Sequence, residues 1–175
     1  GPDNQGKYFD DEIALGHCRL KVIDLTAGGN QPMANENNDT WIVYNGEVYN
    51  FRELRKQLEH LGHRFRSQAD TEVVLHSYEE WGTDCLDKLR GMFAFGIWDK
   101  NRKELFLARD RLGIKPLYYY LKNGVFIFAS QVRSILSCGL MLRELNALGL
   151  ADYLDCGGLK EPWTIAKDIY SLLPA

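Results

Sequence analysis

From Met92 to Asp99 the side chains alternate without a break, with Phe93, Phe95 and Ile97 on one side and Ala94, Gly96 and Trp98 on the other. A period of two is the period of a strand. The difference in size between its faces constrains the fold further, because one face needs a packed core and the other permits close approach. Asp99 to Lys103 is a polar turn that leads to a partner strand, Glu104 to Arg109. A second hairpin follows, with Leu117 to Leu121 and Val125 to Ala129 joined through Asn123-Gly124, a pair suited to the positive φ angles of a type I′ turn. Upstream, Ile13 to Leu25 reads as a strand or two closed by turn residues Thr26 to Asn30, and Trp41 to Tyr44 as a short strand stopped at Asn45-Gly46.

Helices are expected between these strands. Asn50 is a good N-cap for a segment carrying Leu54, Leu58 and Leu61 on one side, ended by Gly62. Asp70 is expected to cap a second, with Val74, Leu75, Tyr78 and Trp81 on its inner side before Gly82. Gln131 to Cys138 and Ala147 to Cys156 read as short helices ending in glycine. Hairpins in succession, with helices clustered between them, predict an α+β fold of antiparallel sheets covered by helices.

Composition removes several functional classes. The 175 residues hold 21 Lys and Arg against 24 Asp and Glu, a net charge of −3 with both signs scattered, so a nucleic-acid partner is not expected. Unbroken apolar runs such as Leu117 to Leu121 are five residues long, far short of the roughly 20 that cross a bilayer, so no membrane role is expected. Cys18, Cys85, Cys138 and Cys156 are widely spaced, which suits a reducing cytoplasm, and Gly1 to Glu12 lacks the apolar stretch of a secretory signal. His60 and His63 flank the helix-ending Gly62, so they read as solvent-facing residues and no metal site is expected. No Gly-x-Ser-x-Gly elbow and no phosphate-binding Gly-x-x-x-x-Gly-Lys-Ser/Thr loop occurs.

Three polar clusters interrupt apolar segments: Gly16 to Leu20, Tyr44 to Glu47, and Asp70 to Glu72. Each alone reads as structural: Arg19 an ion pair, Asn45-Gly46 a turn, Asp70 a cap. Together they match what a free amino acid requires. A guanidinium fork such as Arg19 suits its carboxylate and an acid such as Asp70 its ammonium. A side-chain amide beside a backbone N–H, as in Asn45-Gly46, suits the oxyanion of amide chemistry.

Ordered motifs then place the chain. Leu15 to Leu20, Val22 to Asp24, Gln31-Pro32, Tyr44 to Asn50, Ala69 to Glu72, Leu89 to Phe95, Arg109 to Tyr118 and Phe128 to Ser130 closely resemble the glutaminase domain of asparagine synthetases, a class II glutamine amidotransferase of the N-terminal-nucleophile type. The similarity runs from Gly1 to Leu172-Leu173-Pro174, as one domain over residues 1–175 whose stretch from 140 leads toward a synthetase domain. The resemblance implies two stacked antiparallel sheets flanked by helices, an αββα sandwich. It implies that Arg19 grips the glutamine carboxylate and Asp70 its ammonium, and that Asn45 and Gly46 form the oxyanion hole. Glu47 would hold that loop, and the backbone after Leu20, around Val22 and Ile23, would line the pocket. Arg109, Asp110 and Arg111 are expected to brace a loop. The domain itself needs no cofactor, while ATP and Mg belong to the synthetase domain, the expected partner besides glutamine.

The family's nucleophile is an N-terminal cysteine whose α-amine is its base. In the family it opens a strand followed by a helix, before an Arg-Gly-Pro-Asp segment that Gly1-Pro2-Asp3 matches in part. First strand, helix and nucleophile are therefore expected to be absent from these residues, and the 175-residue chain to be inactive. Cys18 is no substitute, because strand alternation turns it away from both Arg19 and His17. A sheet edge left open in this way predicts association between copies. The alternative reading is a non-catalytic module that binds glutamine or serves assembly. The carboxylate finally amidated is not encoded here.

Overall fold

The computed structural model describes residues 1–175, which form two compact units, Gly1–Leu107 and Ala108–Ala175. The first is organised around the alternating segment. Strand β5 (Gly91–Asp99) pairs antiparallel with β4 (Thr40–Val48), and the four-stranded sheet runs β3 (Met33–Ala34), β4, β5, β6 (Glu104–Arg109), its last strand crossing the boundary between the units. Two helices cover its large-residue face: α1 (Phe51–His60), which buries Leu54 and Leu58, and α2 (Asp70–Trp81), buried from Asp70 to Tyr78. Between them and the sheet the Phe93 and Phe95 rings stack at 5.6 Å, Phe95 meets Phe106 edge-on at 5.7 Å, and Tyr78 of α2 lies on Phe106 at 5.6 Å. Such aromatic pairs contribute about 1 kcal/mol each beyond the area they bury. A short helix, α3 (Cys85–Lys88), closes the turn into β5 and buries Cys85.

The small-residue face of β5 receives a hairpin. Strands β1 (Asn4–Phe9) and β2 (Ala14–Arg19) form a separate two-stranded sheet. Tyr8 stacks on Trp41 with ring centroids 3.9 Å apart, and Trp98, directly across from Trp41, donates through Nε1 to Asp10 Oδ2 at 3.2 Å. Tyr8 also donates to Asp10, holding that carboxyl down at about 2. The sequence did not announce β1, because Asn-Gln-Gly-Lys-Tyr-Phe is polar and only every second residue is half-buried.

The structure departs from expectation at two further points. Strand β4 does not stop at Asn45-Gly46 but runs on to Val48, with Asn45 opposite Ala94 and Gly46 opposite Phe93. Gly46 is there for closeness, not for a turn: a Cβ on it would lie 2.4 Å from Met92 O and 2.7 Å from Phe93 Cα. Helix α2 has Ala69 as its N-cap and Asp70 as its first helical residue, because the Asp70 carboxylate is drawn toward β4.

In the second unit β7 (Tyr118–Lys122) lies between β8 (Val125–Ala129) and β9 (Ile169–Ser171), with Asn123 and Gly124 at φ +53° and +76° in the expected hairpin turn. Tyr120, Ile135, Ala166 and Ile169 form its core, which includes the inner face of α4 (Val132–Ser137). Helix α5 (Ala147–Cys156) comes so close to Thr164 that a Cβ on Gly149 would sit 2.4 Å from its carbonyl oxygen. Arg109 is a brace within this unit, donating to the carbonyls of Lys115 and Leu172 at 2.8 Å, to Ser171 at 3.0 Å and to Glu161 at 2.5 Å. Asp110 accepts from the backbone of Leu112, Ile114 and Lys115. No helix is long and apolar enough to cross a membrane.

Candidate functional site

Strand β3 accompanies β4 only at Trp41 and Ile42, so the same edge of β4 from Tyr44 onward has no strand beside it. An edge of bare N–H and C=O groups needs other partners. Three side chains from three segments supply them. Gln31 Oε1 accepts from Tyr44 N at 2.6 Å, His17 Nε2 donates to Tyr44 O at 3.1 Å, and Asp70 Oδ2 accepts from Val48 N at 3.0 Å. Strand alternation puts the Gly46 N–H on this same edge, between two positions served by side chains. A backbone donor is thus presented beside the half-buried Asn45.

Each of those side chains is held in turn. Gln31 donates through Nε2 to Thr71 Oγ1 at 3.2 Å, tying the edge to the first turn of α2. Asp70 Oδ2 also accepts from the Tyr44 hydroxyl at 2.7 Å. Burial pushes the Asp70 carboxyl above the ordinary carboxylate range, against the pull of Tyr44 and the Val48 N–H, and burial with the Asp70 charge raises the Tyr44 phenol far above its usual value. Burial likewise lowers the His17 imidazole, keeping it neutral, and its Nδ1 is enclosed without a hydrogen bond.

Arg19 ends β2 and is 5% exposed. Its Nη1 donates to Thr26 O at 2.7 Å and to Asn30 Oδ1 at 2.9 Å, and its Nη2 to Asp24 O. A guanidinium has five N–H donors. With three engaged, Nε–H and one Nη2–H stay uncommitted. Gly29 lies flat on this group, since a Cβ there would come 2.2 Å from Nη2. The loop that wraps Arg19 is also pinned to the approach of α2: Asp24 accepts from Gln68 N at 2.9 Å and from the Thr26 hydroxyl at 2.7 Å, and the latter bond chiefly holds its carboxyl below the usual range. From the other side Asp3 N donates to Arg19 O at 3.1 Å, and Asp3 Oδ2 accepts from Lys21 N at 2.8 Å.

The structure thus links Arg19, through Asp24 and Gln68, to the start of the helix that carries Asp70, and places Asn45 on the face of β4 that receives the β1–β2 hairpin. Leu20 and Val22 turn their side chains outward, at 64% and 60% exposure, so only their backbone can line a pocket, and Ile23 and Glu47 are half-buried. Cys18 is exposed on the face of β2 opposite Leu15 and Arg19. Cys85 is buried, its thiol pushed up to about 12. Asp24, Gly29, Gln31 and Tyr44 are functional neighbours that no local sequence pattern assigns a role. All but Gly29 stand inside quoted motifs, and a polar residue within such a motif was the available signal.

One prediction follows from Gly46. Gly46→Ala has to push β4 off β5, because the atoms in its way are backbone. An expected loss of about 3 kcal/mol is measured by denaturant unfolding, and parental stability would mean that the two strands can part at that register.

A family profile described as "Glutamine amidotransferase domain" matches residues 1–175. The chain is 44% identical over 178 residues to asparagine synthetase (glutamine-hydrolyzing) 3 of Bacillus subtilis strain 168, covering 100% of the chain and 29% of that protein. It is 40% identical over 174 residues to asparagine synthetase (glutamine-hydrolyzing) 1 of the same organism, covering 99% of the chain and 27% of that protein. Among solved structures, glutamine phosphoribosylpyrophosphate amidotransferase from B. subtilis, complexed with ADP and GMP, superposes with a TM-score of 0.62 at 28% identity, over 76% of this chain and 31% of that one. The expected α+β class, antiparallel sheets with helices and no closed barrel, agrees with this likeness. The chain spans less than a third of the length of these relatives.

Proposed function

Because the chain belongs to the glutamine amidotransferase domain family, we propose that residues 1–175 carry the glutamine pocket of an asparagine synthetase-like protein, and that ammonia released there is passed to a synthetase domain. The observation that carries this reading is the immobilised Arg19. Three donors fix its plane on Asp24, Thr26 and Asn30, and the uncommitted Nε–H and Nη2–H are suited to two carboxylate oxygens. Asp70 would receive the ammonium. The Asn45 amide and the Gly46 N–H would donate to the oxyanion that forms when a nucleophile adds to the side-chain amide carbon. That addition places negative charge on oxygen, its collapse expels ammonia, and water then hydrolyses the acyl enzyme to glutamate.

In this reading the thiolate nucleophile is none of the four cysteines described. Cys18 faces away from Arg19, and the Cys85 thiol is closed off from solvent. In this reading the 175 residues bind glutamine without turning it over, and activation of the acceptor carboxylate, with its ATP and magnesium, falls to the synthetase portion. A cytoplasmic setting and association of copies through open strand edges belong to the same proposal, which the unpaired state of all four cysteines suits.

The test compares two proteins made from the same gene: residues 1–175, and a form extended upstream to the nearest Met-Cys start. Calorimetry on the first is expected to give one saturable glutamine site with no ammonia release, and the extended form is expected to release ammonia from glutamine. Ammonia from the 175 residues themselves, or no glutamine binding by either form, overturns the reading.

A further inference from the structure

The sequence pairs His60 with His63, but the fold separates them. His60 Nδ1 turns back to its own helix, 2.6 Å from Lys56 O. Gly62, at φ +104°, reverses the chain after α1 and lays His63 against α2 instead. There its ring meets His76 with centroids 4.9 Å apart. His76 and Glu79 stand three residues apart on α2, the spacing that brings two side chains to one helical face, and His76 Nδ1 is 2.5 Å from Glu79 Oε2. The same Glu79 oxygen lies 3.9 Å from His63 Nδ1. One donor atom from each of the three residues falls within 4.8 Å of the others.

We infer that His63, His76 and Glu79 form a binding site for a divalent ion of the zinc class. Two imidazoles and one carboxylate are a borderline ligand set that favours zinc over magnesium or calcium, with water as the fourth ligand. Bonds of about 2.0–2.1 Å in a tetrahedral site put ligand atoms roughly 3.3 Å apart. Closing on an ion therefore needs the His76–Glu79 pair to open slightly and His63 to move inward. His63 and Glu79 are 17% and 21% exposed, which gives an ion its way in, while His76 at 1% is fixed in the wall.

The residues around the three are arranged as metal ligands require. Glu80 Oε2 lies 3.2 Å from His63 Nε2, so a proton held there leaves Nδ1 with its lone pair toward the site. Asn35 donates to Glu79 Oε1 at 2.7 Å, occupying the oxygen that does not face the histidines. His76 Nε2 is buried with no hydrogen bond, and the nearest acids, Glu72 and Glu36, stand 3.9 Å away. Glu72 is committed to Arg66 and Ser67 backbone groups. Four carboxylates thus surround two imidazoles, a charge balance that welcomes a dication. Bound there, the ion would tie the turn after α1 to the third turn of α2.

The test uses the chain free of any histidine tag and stripped with a chelator. Zinc titrated against a chromophoric competitor is expected to bind one per chain and to raise the unfolding temperature by several degrees. His63→Ala and Glu79→Gln, both at partly exposed positions, are each expected to weaken binding at least about 100-fold, and Glu80→Gln about 10-fold through loss of ring orientation. Cobalt is expected to show tetrahedral visible bands without thiolate-to-metal charge transfer, separating this site from the exposed cysteines. Undiminished zinc affinity in both ligand variants, a thiolate band, or no one-to-one binding overturns the inference.

Discussion

Arg19→Ala is expected to lower stability by about 3–5 kcal/mol and to abolish glutamine binding. The side chain is almost wholly buried, and removing it leaves the buried bond to the Asp24 carbonyl unmade and takes the donor from the Thr26 carbonyl and the Asn30 amide oxygen. Hydrogen bonds from a charged donor contribute about 1.5–3 kcal/mol each, and a stranded acceptor costs its own desolvation. The loop from Asp24 to Gln31 would then lose the centre it wraps. Because Gln31 also serves Tyr44 N, the loosening should spread to the β4 edge. Arg19→Lys separates charge from geometry: one ammonium cannot reach three acceptors in a plane and still present a fork, so binding should be lost although positive charge is kept. Denaturant unfolding and glutamine calorimetry check both variants. A stable Arg19→Ala protein, or a Lys variant of parental affinity, would remove the guanidinium from the centre of the pocket.

The second large effect concerns Asp70, where two substitutions should part company. Asp70→Asn keeps an oxygen for the Val48 N–H and removes a charge that burial disfavours, so stability at neutral pH should be unchanged or slightly higher. Glutamine affinity should fall about 100-fold, because the ammonium loses its counter-charge inside a desolvated site. Asp70→Ala instead leaves the Tyr44 hydroxyl and the Val48 N–H without an acceptor and should cost about 2–4 kcal/mol. The pH dependence has a definite sign. The folded carboxyl sits above its unfolded value, so between those two values the folded state holds the extra proton, and the stability this group contributes declines as pH rises through the window. Glutamine binding runs the other way: it needs the ionised acid and is lost on acidification, at a pH above the ordinary carboxylate range. That acid limb should vanish in Asp70→Asn, and a limb that persists would assign it to another group.

Strands with strong alternation and helices with spaced leucines were legible in the sequence because burial on one face writes a period into the chain. Strand β5 and the inner sides of α1 and α2 are legible in this way, while β6 and the Asn123-Gly124 hairpin are legible through the turn residues beside them. Strand β1 is not, since it is anchored by Tyr8 and by Asp10 just beyond its end, which bind Trp41 and Trp98 far along the chain. The continuation of β4 through Asn45-Gly46 was missed for a related reason. A glycine chosen for close strand approach carries the same letter as one chosen for a turn. Arg19, Asn45, Gly46 and Asp70 could be named because their chemistry suits an amino acid. The residues around them, Asp24, Gly29, Gln31 and Tyr44, act through hydrogen bonds and close approaches between separate segments, which no local pattern encodes.

The bare flank of β4 is finished by an amide, an imidazole and a carboxylate in place of a neighbouring strand. A ladder protects its amide protons until whole strands separate, whereas each of these caps depends on the hydrogen bonds of a single side chain. The protons on the Tyr44 and Val48 nitrogens would then trade with solvent faster than those facing β5, at rates that glutamine bound against Asp70 would change. The backbone itself would act as a resident reporter of occupancy, legible by isotope labelling without any attached probe.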